Sequence, residues 1–514
     1  MIYRSTEPDV DIPDVLLAEH LLGNARDYGD KTALVDAKSG ERVSYRDLAD
    51  GVDAAAGALA GLGVGPGQVV ALMSHNQPQY ALAVYAAVAA GAAITPINPV
   101  LTTGELVKQL IAAKATVLIT SEQAAAKAAE AADVAWIEHR FVLGEAPGFR
   151  PFAELVASRE TAPRLTLDPR TAIAALPFSS GTTGLAKGVQ LTHRNLVANV
   201  EQNRAGWRVG RDEVVAAVLP FFHIYGFTII LNSALRAGAT VVTLERYDLD
   251  SYLRMVQDHR VTRAYLAPPM VLGLAGAEDV SGYDLSSLRF GICGAAPLDV
   301  DVTERAEKRL GCPIRQGYGM TEASPGTHLV PDDEFTTAPA GSVGRLVPST
   351  EARLVDPETG AESAEGEPGE LWVRGPQVMA GYLDNPGATT ETIVDGAWLR
   401  TGDIVRVDAD GIFWIVDRLK ELIKYKGYQV APAELESVLL THPEVLDVAV
   451  VGIPHAEGGE APKAFVVAER PIDPDLLMAW LAERVAPYKK VRSVEFVAEI
   501  PKSPSGKILR RLLR

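Results

Sequence analysis

A chain of 514 residues exceeds what one hydrophobic core serves, so at least two domains are expected, and with 47% hydrophobic and 22% charged residues it is neither disordered nor fibrous in composition. A formal net charge of −17 argues against nucleic acid as a partner, because backbone phosphates repel an acidic surface. The two cysteines, Cys293 and Cys312, belong to no CxxC or Cys/His cluster, which argues against structural zinc and a disulfide framework; both are expected buried and reduced.

The N-terminus, "MIYRSTEPDVDIPD", carries acids and prolines where a signal peptide needs a basic start and an apolar core. The most apolar stretch, "ALAVYAAVAAGAAITPI", is alanine-rich and broken by Gly91 and Pro96, so it reads as a buried helix running into a strand, not a membrane span. A cytoplasmic protein is expected. From about residue 30 to 330, β-branched runs such as "QVVALMS", "ATVLIT", "TAIAALPFSS", "EVVAAVLP", "ATVVTLE" and "LRFGICG" alternate with helix-like segments such as "LVKQLIAAK" and "LDSYLRMVQDHR". That alternation predicts βαβ units and largely parallel sheets. From about residue 340, short strands with Gly, Pro and Asp turns ("ARLVDPETG", "GELWVRGPQVMAGYL", "GIFWIVDR") predict an antiparallel, barrel-like module. After Asp417 the pattern helix, strand, strand, helix predicts a small α+β unit, closed by a basic tail with one more strand and a Gly-containing loop. The fold class is therefore α/β, with domains expected at 1–416 and 417–514 and the boundary in "VDRLKEL".

One loop calls for chemistry. "SSGTTGLAKG", residues 179–188, places three glycines, four hydroxyl side chains and Lys187 directly after an apolar strand. It is not a Walker A motif, because Gly188 stands where a metal-binding Ser or Thr would follow the lysine. Glycines nonetheless let successive N–H groups point inward, Ser179, Ser180, Thr182 and Thr183 offer donors, and Lys187 supplies positive charge, the parts a polyphosphate cradle needs. A Ser/Gly surface loop is the alternative, but linkers seldom follow a buried strand or hold a lysine at this spacing.

With this loop, "PFFHIYGF", "GAAPL", "QGYGMTEAS", "GSVGR", "GELWVRGP", "WLRTGD", "DRLKELIKYKGYQVAPAELE" and "PSGKILRR" follow in order between residues 177 and 511. Together they resemble the acyl-adenylate-forming superfamily of acyl-CoA synthetases, peptide-synthetase adenylation domains and luciferases, most closely the 4-coumarate:CoA ligase-like acyl-CoA synthetases. The resemblance implies a two-step reaction in which a carboxylate attacks the α-phosphate of ATP, giving acyl-AMP and pyrophosphate, after which the thiol of CoA displaces AMP. It implies ATP and CoA as co-substrates and Mg²⁺ as cofactor, with a small-molecule carboxylic acid as the third reactant, and a monomer or homodimer.

Carried over position by position, the resemblance implies that Ser179, Ser180, Gly181, Thr182, Thr183, Gly184 and Lys187 hold the phosphates. Glu322 would contact the metal and Thr321 the α-phosphate, both acting in catalysis. Gly294, Ala295, Ala296, Gln316, Gly317, Tyr318 and Gly319 would line the nucleotide and the inner acyl pocket, and Asp403 with Arg418 the ribose. Lys507 would serve adenylation, and Lys424 and Gln429 would hold acyl-AMP for thiolation, with the hinge at Lys420. Lys426, Gly427 and Arg246 would meet CoA. His223, Tyr225, Gly226, Ile229, Ala295 and Gly319 would border the acyl group. Two half-reactions with different demands on one side of the acyl phosphate are reconciled when a mobile C-terminal domain swaps its cations in and out.

Peptide-synthetase adenylation domains carry an aspartate in the stretch matching "HIYGF"; none stands here, which disfavours an α-amino acid. Ile229 falls where 4-coumarate:CoA ligases often have a small polar residue, and "SPGTHLV" departs from their usual "GPV". A bulkier apolar pocket follows, suited to cinnamate-like, benzoate-like or medium-chain acids. A carrier-protein thiol, or oxygen, in place of CoA is a second reading, against which the two lysines of "IKYKGYQ" speak. A silent nucleotide-binding scaffold is a third, for which Lys507 would be of no use.

Overall fold

The computed structural model describes all residues except 180–186, 278, 297, 420, 426–427, 456–458, 486, 504–505 and 514, and describes 424, 428, 429, 459, 488 and 511 by backbone alone. Among the described residues the strands form five sheets.

Strands Val69–Met73, Ala93–Ile97 and Val117–Ser121 are buried along their whole length. An uninterrupted apolar strand is what a parallel sheet covered on both faces requires. They pair in parallel, and His139–Leu143 and Arg150–Pro151 extend the sheet on one side and Ile173–Ala175 on the other. A second sheet runs in the order Ile314–Gln316, Phe290–Cys293, Arg263–Leu266, Val214–Ala217, Thr240–Thr243, Thr32–Asp36, all parallel, with Arg42–Ser44 antiparallel at its edge. Side chains of both sheets and of helices Tyr45–Gly61 and Pro78–Ala89 share one core. The helix Pro78–Ala89 is apolar nearly all round and buried, as the alanine-rich stretch predicts, and it leads into Ala93–Ile97. No helix among the described residues is long and apolar enough to cross a membrane. Both cysteines are free and buried, and burial raises both thiols, Cys312 to about 12.

The first sheet departs from the parallel expectation at the glycine-rich loop. Lys187–Thr192 runs antiparallel to Phe178–Ser179 and to Ile173–Ala175, and Gly381–Tyr382 adds antiparallel to it. The physical reason is connection length: residues 180–186 join the two strands directly, whereas a parallel return needs a crossover of a dozen residues or more.

The antiparallel module is a sheet of Glu351–Val355, Gly369–Arg374, Trp398–Val407, Ile393–Val394 and Phe413–Arg418, joined at its edge by the N-terminal Tyr3–Arg4. The last sheet comprises Ile423–Tyr425, Tyr428–Val430, Val445–His455, Gly459–Ala468 and, in parallel with Gly459–Ala468, Ser493–Phe496. With helices Pro432–Leu440 and Pro474–Ala482 it encloses a core of its own, from Ile423 to Val491.

Candidate functional site

The stem of the glycine-rich loop is closed by backbone pairing of Ser179 with Lys187 and Phe178 with Gly188. Ser180, Gly181, Thr182, Thr183 and Gly184 lie outside the described residues, as do Lys420, Lys426 and Gly427. From the stem, Ser179 Oγ donates to Glu322 Oε1 at 3.1 Å. Glu322 lies in the short 3-10 turn Thr321–Ala323 and is 7% exposed, so it is not the surface carboxylate that a lone acid usually is. A second hydroxyl, from Tyr382, donates to the same Oε1 at 2.9 Å. The Tyr382 ring carries Lys187 Nζ 4.9 Å from its centroid. Among the described residues no hydrogen bond reaches Glu322 Oε2. A buried carboxylate with one oxygen held and the other open, next to a hydroxyl, is a hard-oxygen donor set of the kind Mg²⁺ takes.

Asp403, on Trp398–Val407, stands directly across the sheet from Arg418 on Phe413–Arg418. Arg418 Nε lies 3.2 Å from Asp403 Oδ1, and Tyr318 OH donates to Oδ2 at 2.5 Å. Asp403 is 4% exposed; burial raises its pKa, opposed by Arg418, Tyr318 and Lys507. The Tyr318 hydroxyl is raised by burial and by Asp403, so it remains a donor.

The loop after Phe290–Cys293 carries "GAAPL". Ala295 is exposed with φ +78°, and Gly294 faces the ring edge of Tyr225. Gly317 N donates to Cys293 O at 2.9 Å. Gln316 turns to the protein: its Oε1 accepts from Leu298 N at 3.2 Å and its Nε2 donates to Leu298 O at 3.3 Å, fixing the far end of "GAAPL". Gly319 lies in the short strand Tyr318–Gly319, and Thr321 and Ala296 are half-buried.

"FFHIYGF" leads into a wholly buried π-helix of eight residues, Tyr225–Asn232, which sequence periodicity gives no reason to expect; π-helical turns are rare and recur at functional sites. Gly226 is required there, since a Cβ would lie 2.1 Å from Pro220 O. Tyr225 OH donates to Ile292 O at 3.2 Å and Ile229 is 3% exposed, so this wall presents ring and alkyl surface. His223 is half-buried; burial, then Lys507, lowers its pKa to about 4. Its Nδ1 accepts from Tyr225 N at 3.3 Å, so the neutral ring carries its proton on Nε2.

Lys507 arrives from the C-terminal tail. Gly506, at φ +83°, would place a Cβ 2.5 Å from Pro269 Cδ, so the tail loop packs directly on the first turn of the helix Pro268–Gly276. Burial, then Arg418, lowers the Lys507 pKa to about 8 against the pull of Glu421, Asp403 and Glu322. The structure thus brings Ser179, Lys187, Glu322, Asp403, Arg418, His223 and Lys507 into one electrostatic neighbourhood. Lys424 and Gln429 form a cross-strand backbone pair flanking residues 426–427. Arg246 is exposed and lines a separate groove of about 890 Å³ with His75, Glu122 and Glu245, which shares no lining residue with the Glu322–Asp403 cluster.

Sequence reasoning missed Tyr382, whose contact with Glu322 spans 60 positions and leaves no local signal. It also passed over Arg510, which stands among other cations in the basic tail. Arg510 is instead inside the C-terminal unit, bonded to Glu421 at 2.6 Å, to both oxygens of Glu436 at 2.7 Å and to Val450 O at 3.1 Å.

The hydroxyl of Ser179, the buried acids Glu322 and Asp403 and the tail cation Lys507 are the kinds of group that phosphates, ribose hydroxyls and a metal would engage. The chain matches the family described as AMP-binding enzyme over residues 22–383 and that described as AMP-binding enzyme C-terminal domain over 434–507, and it belongs to that family. It is 41% identical over 524 residues to 4-coumarate–CoA ligase 5 of Oryza sativa subsp. japonica, covering 100% of this chain and 97% of that protein. Among solved structures, the anthranilate CoA ligase AuaEII in complex with anthranoyl-AMP superimposes with a TM-score of 0.90 at 28% identity, covering 98% of this chain and 97% of the other. ATP-bound MatB from Rhodopseudomonas palustris gives 0.88 at 29%, covering 98% of each.

Proposed function

We propose that this chain is an ATP-dependent carboxylate:CoA ligase acting on an aromatic acid of the cinnamate class, in two steps at one site. The observation that carries the reading is Lys507: a tail residue 104 positions beyond Asp403 feels the charges of Asp403, Glu322 and Arg418 and acts in turn on His223. In the first step a carboxylate oxygen bonds to the α-phosphorus of ATP and the bond to the bridging oxygen breaks, the electron pair leaving with pyrophosphate. Lys507, charged below about pH 8, stabilises the oxygen on which that charge builds. The loop hydroxyls and Lys187 hold the leaving phosphates, Asp403, braced by Arg418, accepts hydrogen bonds from the ribose hydroxyls, and Ala295 and Tyr318 border the base. Glu322 would hold Mg²⁺, which would supply positive charge to neutralise the triphosphate when bound. Neutral His223 orients the carboxylate without adding a competing cation.

In the second step the C-terminal unit, 417–514, turns about Lys420 and brings the Lys424–Gln429 hairpin to the acyl-AMP. The CoA thiolate then bonds to the acyl carbon and AMP leaves. The aromatic class is supported by the ring of Tyr225 and the side chain of Ile229 in the wall, and by the similarity to a 4-coumarate–CoA ligase and an anthranilate CoA ligase. A panel of cinnamic, benzoic and medium-chain acids, read by CoA-dependent AMP formation, tests it. Cinnamate-type acids are expected to give the highest kcat/KM; preference for an alkanoic acid would reassign the substrate, and no acid-dependent AMP with any of them would end the reading.

A further inference from the structure

We infer that Tyr382 is a positioning residue for adenylation: its hydroxyl and ring together fix Glu322 and Lys187, so that the metal-binding carboxylate and the phosphate-binding lysine hold one relative geometry. The inference rests on the reading of Glu322 as metal ligand and goes beyond it to a residue that the motifs did not single out.

The geometry is built from the backbone outward. Segment 379–383 is laid along the outer edge of Lys187–Thr192, with Ala380 N donating to Gln190 O at 3.0 Å and Leu383 N to Gly188 O at 2.8 Å. At its start, Met379 N donates to Glu322 O at 2.9 Å. At its centre, Tyr382 N donates to Thr389 Oγ1 at 2.9 Å, fixing the residue against the helix Pro386–Thr392. One five-residue strap is therefore bonded both to the strand that carries Lys187 and to the turn that carries Glu322. Tyr382 pairs with Val189 and is 8% exposed.

From that fixed base the side chain makes two contacts. Its hydroxyl donates to Glu322 Oε1 at 2.9 Å, beside Ser179 Oγ at 3.1 Å on the same oxygen. Two donors on one oxygen lock the carboxylate rotation and leave Oε2 as the open ligand. Its ring face holds Lys187 Nζ at 4.9 Å, within cation–π range. Lys187 thus has a resting place that is not a carboxylate, and it need break no ion pair with Glu322 to reach a phosphate.

The two contacts separate by substitution. Tyr382→Phe removes the hydroxyl and keeps the ring; Tyr382→Leu removes both. For Tyr382→Phe the expected result is a five- to twentyfold rise in the Mg²⁺ concentration giving half-maximal acid-dependent pyrophosphate exchange, with KM for ATP at saturating Mg²⁺ within twofold. Mn²⁺ binding to the enzyme with a non-hydrolysable ATP analogue, read by electron paramagnetic resonance, weakens by a similar factor. For Tyr382→Leu, KM for ATP rises as well. Glu322→Gln is run alongside: if it leaves the metal dependence unchanged, the reading of Glu322 fails and this inference falls with it. If Glu322→Gln alters metal dependence while Tyr382→Phe alters neither Mg²⁺ requirement nor Mn²⁺ binding, the inference alone is overturned. A lowered melting temperature with equal losses in every kinetic constant would also overturn it, as Tyr382 would then be structural only.

Discussion

The charge state of Lys507 sets a pH limit on adenylation. Burial and Arg418 bring its pKa down to about 8, and three carboxylates fail to restore it. The ammonium is then about nine-tenths present at pH 7, half at pH 8 and roughly a tenth at pH 9, whereas an ordinary lysine would stay charged to beyond pH 10. If only the protonated form adenylates, kcat/KM for ATP in acid-dependent pyrophosphate exchange falls about tenfold per unit above pH 8, since that constant reports the free enzyme. Bound ATP adds negative charge beside the lysine and favours its protonated form, so the corresponding limb in kcat lies at higher pH. Exchange avoids the CoA thiol, which titrates at about pH 8.5 in its own right. His223, at about 4, and Asp417, raised by burial to about 7, act on the acid side and leave the alkaline limb alone. In Lys507→Arg the side chain stays charged throughout, so the limb disappears whatever the absolute rate. A break that persists near pH 8 in Lys507→Arg, or one above pH 10 in the native chain, would refute the reasoning.

Three further outcomes follow from single contacts. Tyr318→Phe removes a donor to the buried carboxylate of Asp403, a bond of about 1.5 to 3 kcal/mol, and KM for ATP should rise about tenfold or more with a smaller change in kcat; steady-state kinetics at varied ATP decide it. Arg510→Leu leaves the buried Glu436 and the half-buried Glu421 without their cation and should cost about 3 to 5 kcal/mol in the C-terminal unit, seen as an earlier, separate transition by calorimetry; an unchanged melting profile would count against the ion-pair account. Gly226→Ala drives a Cβ into the Pro220 carbonyl oxygen, which as backbone cannot rotate away, so the variant should lose acyl-substrate binding and at least about 2 kcal/mol of stability, whereas full acyl affinity at native stability would show that the π-helix adapts.

The strands were legible because both parallel sheets are covered on both faces, so runs such as "QVVALMS" and "ATVVTLE" had to be continuously apolar. The return at Lys187–Thr192 was not, because direction depends on the length of the connection and not on the strand's own pattern. Asp403 and Arg418 lie on adjacent strands of one hairpin around the turn at Asp408–Gly411, so their pairing follows from local register, and short-range motifs carry it. The 60-position contact of Tyr382 with Glu322 has no such trace: nothing local distinguishes a tyrosine that packs from one that aims a hydroxyl at an acid. Arg510 misleads for the opposite reason. Its neighbours in sequence are basic, but its neighbours in space are Glu421 and Glu436, and a buried cation is recognised by its partners and not by its tail.

The central claim, that one tail lysine serves the first half-reaction and withdraws for the second, is tested most directly by measuring both halves in Lys507→Ala. Acid-dependent exchange of labelled pyrophosphate into ATP should drop at least a thousandfold, while thioester formation from supplied acyl-AMP and CoA stays within about threefold of the native rate. Equal loss of both halves, or survival of pyrophosphate exchange, would contradict it.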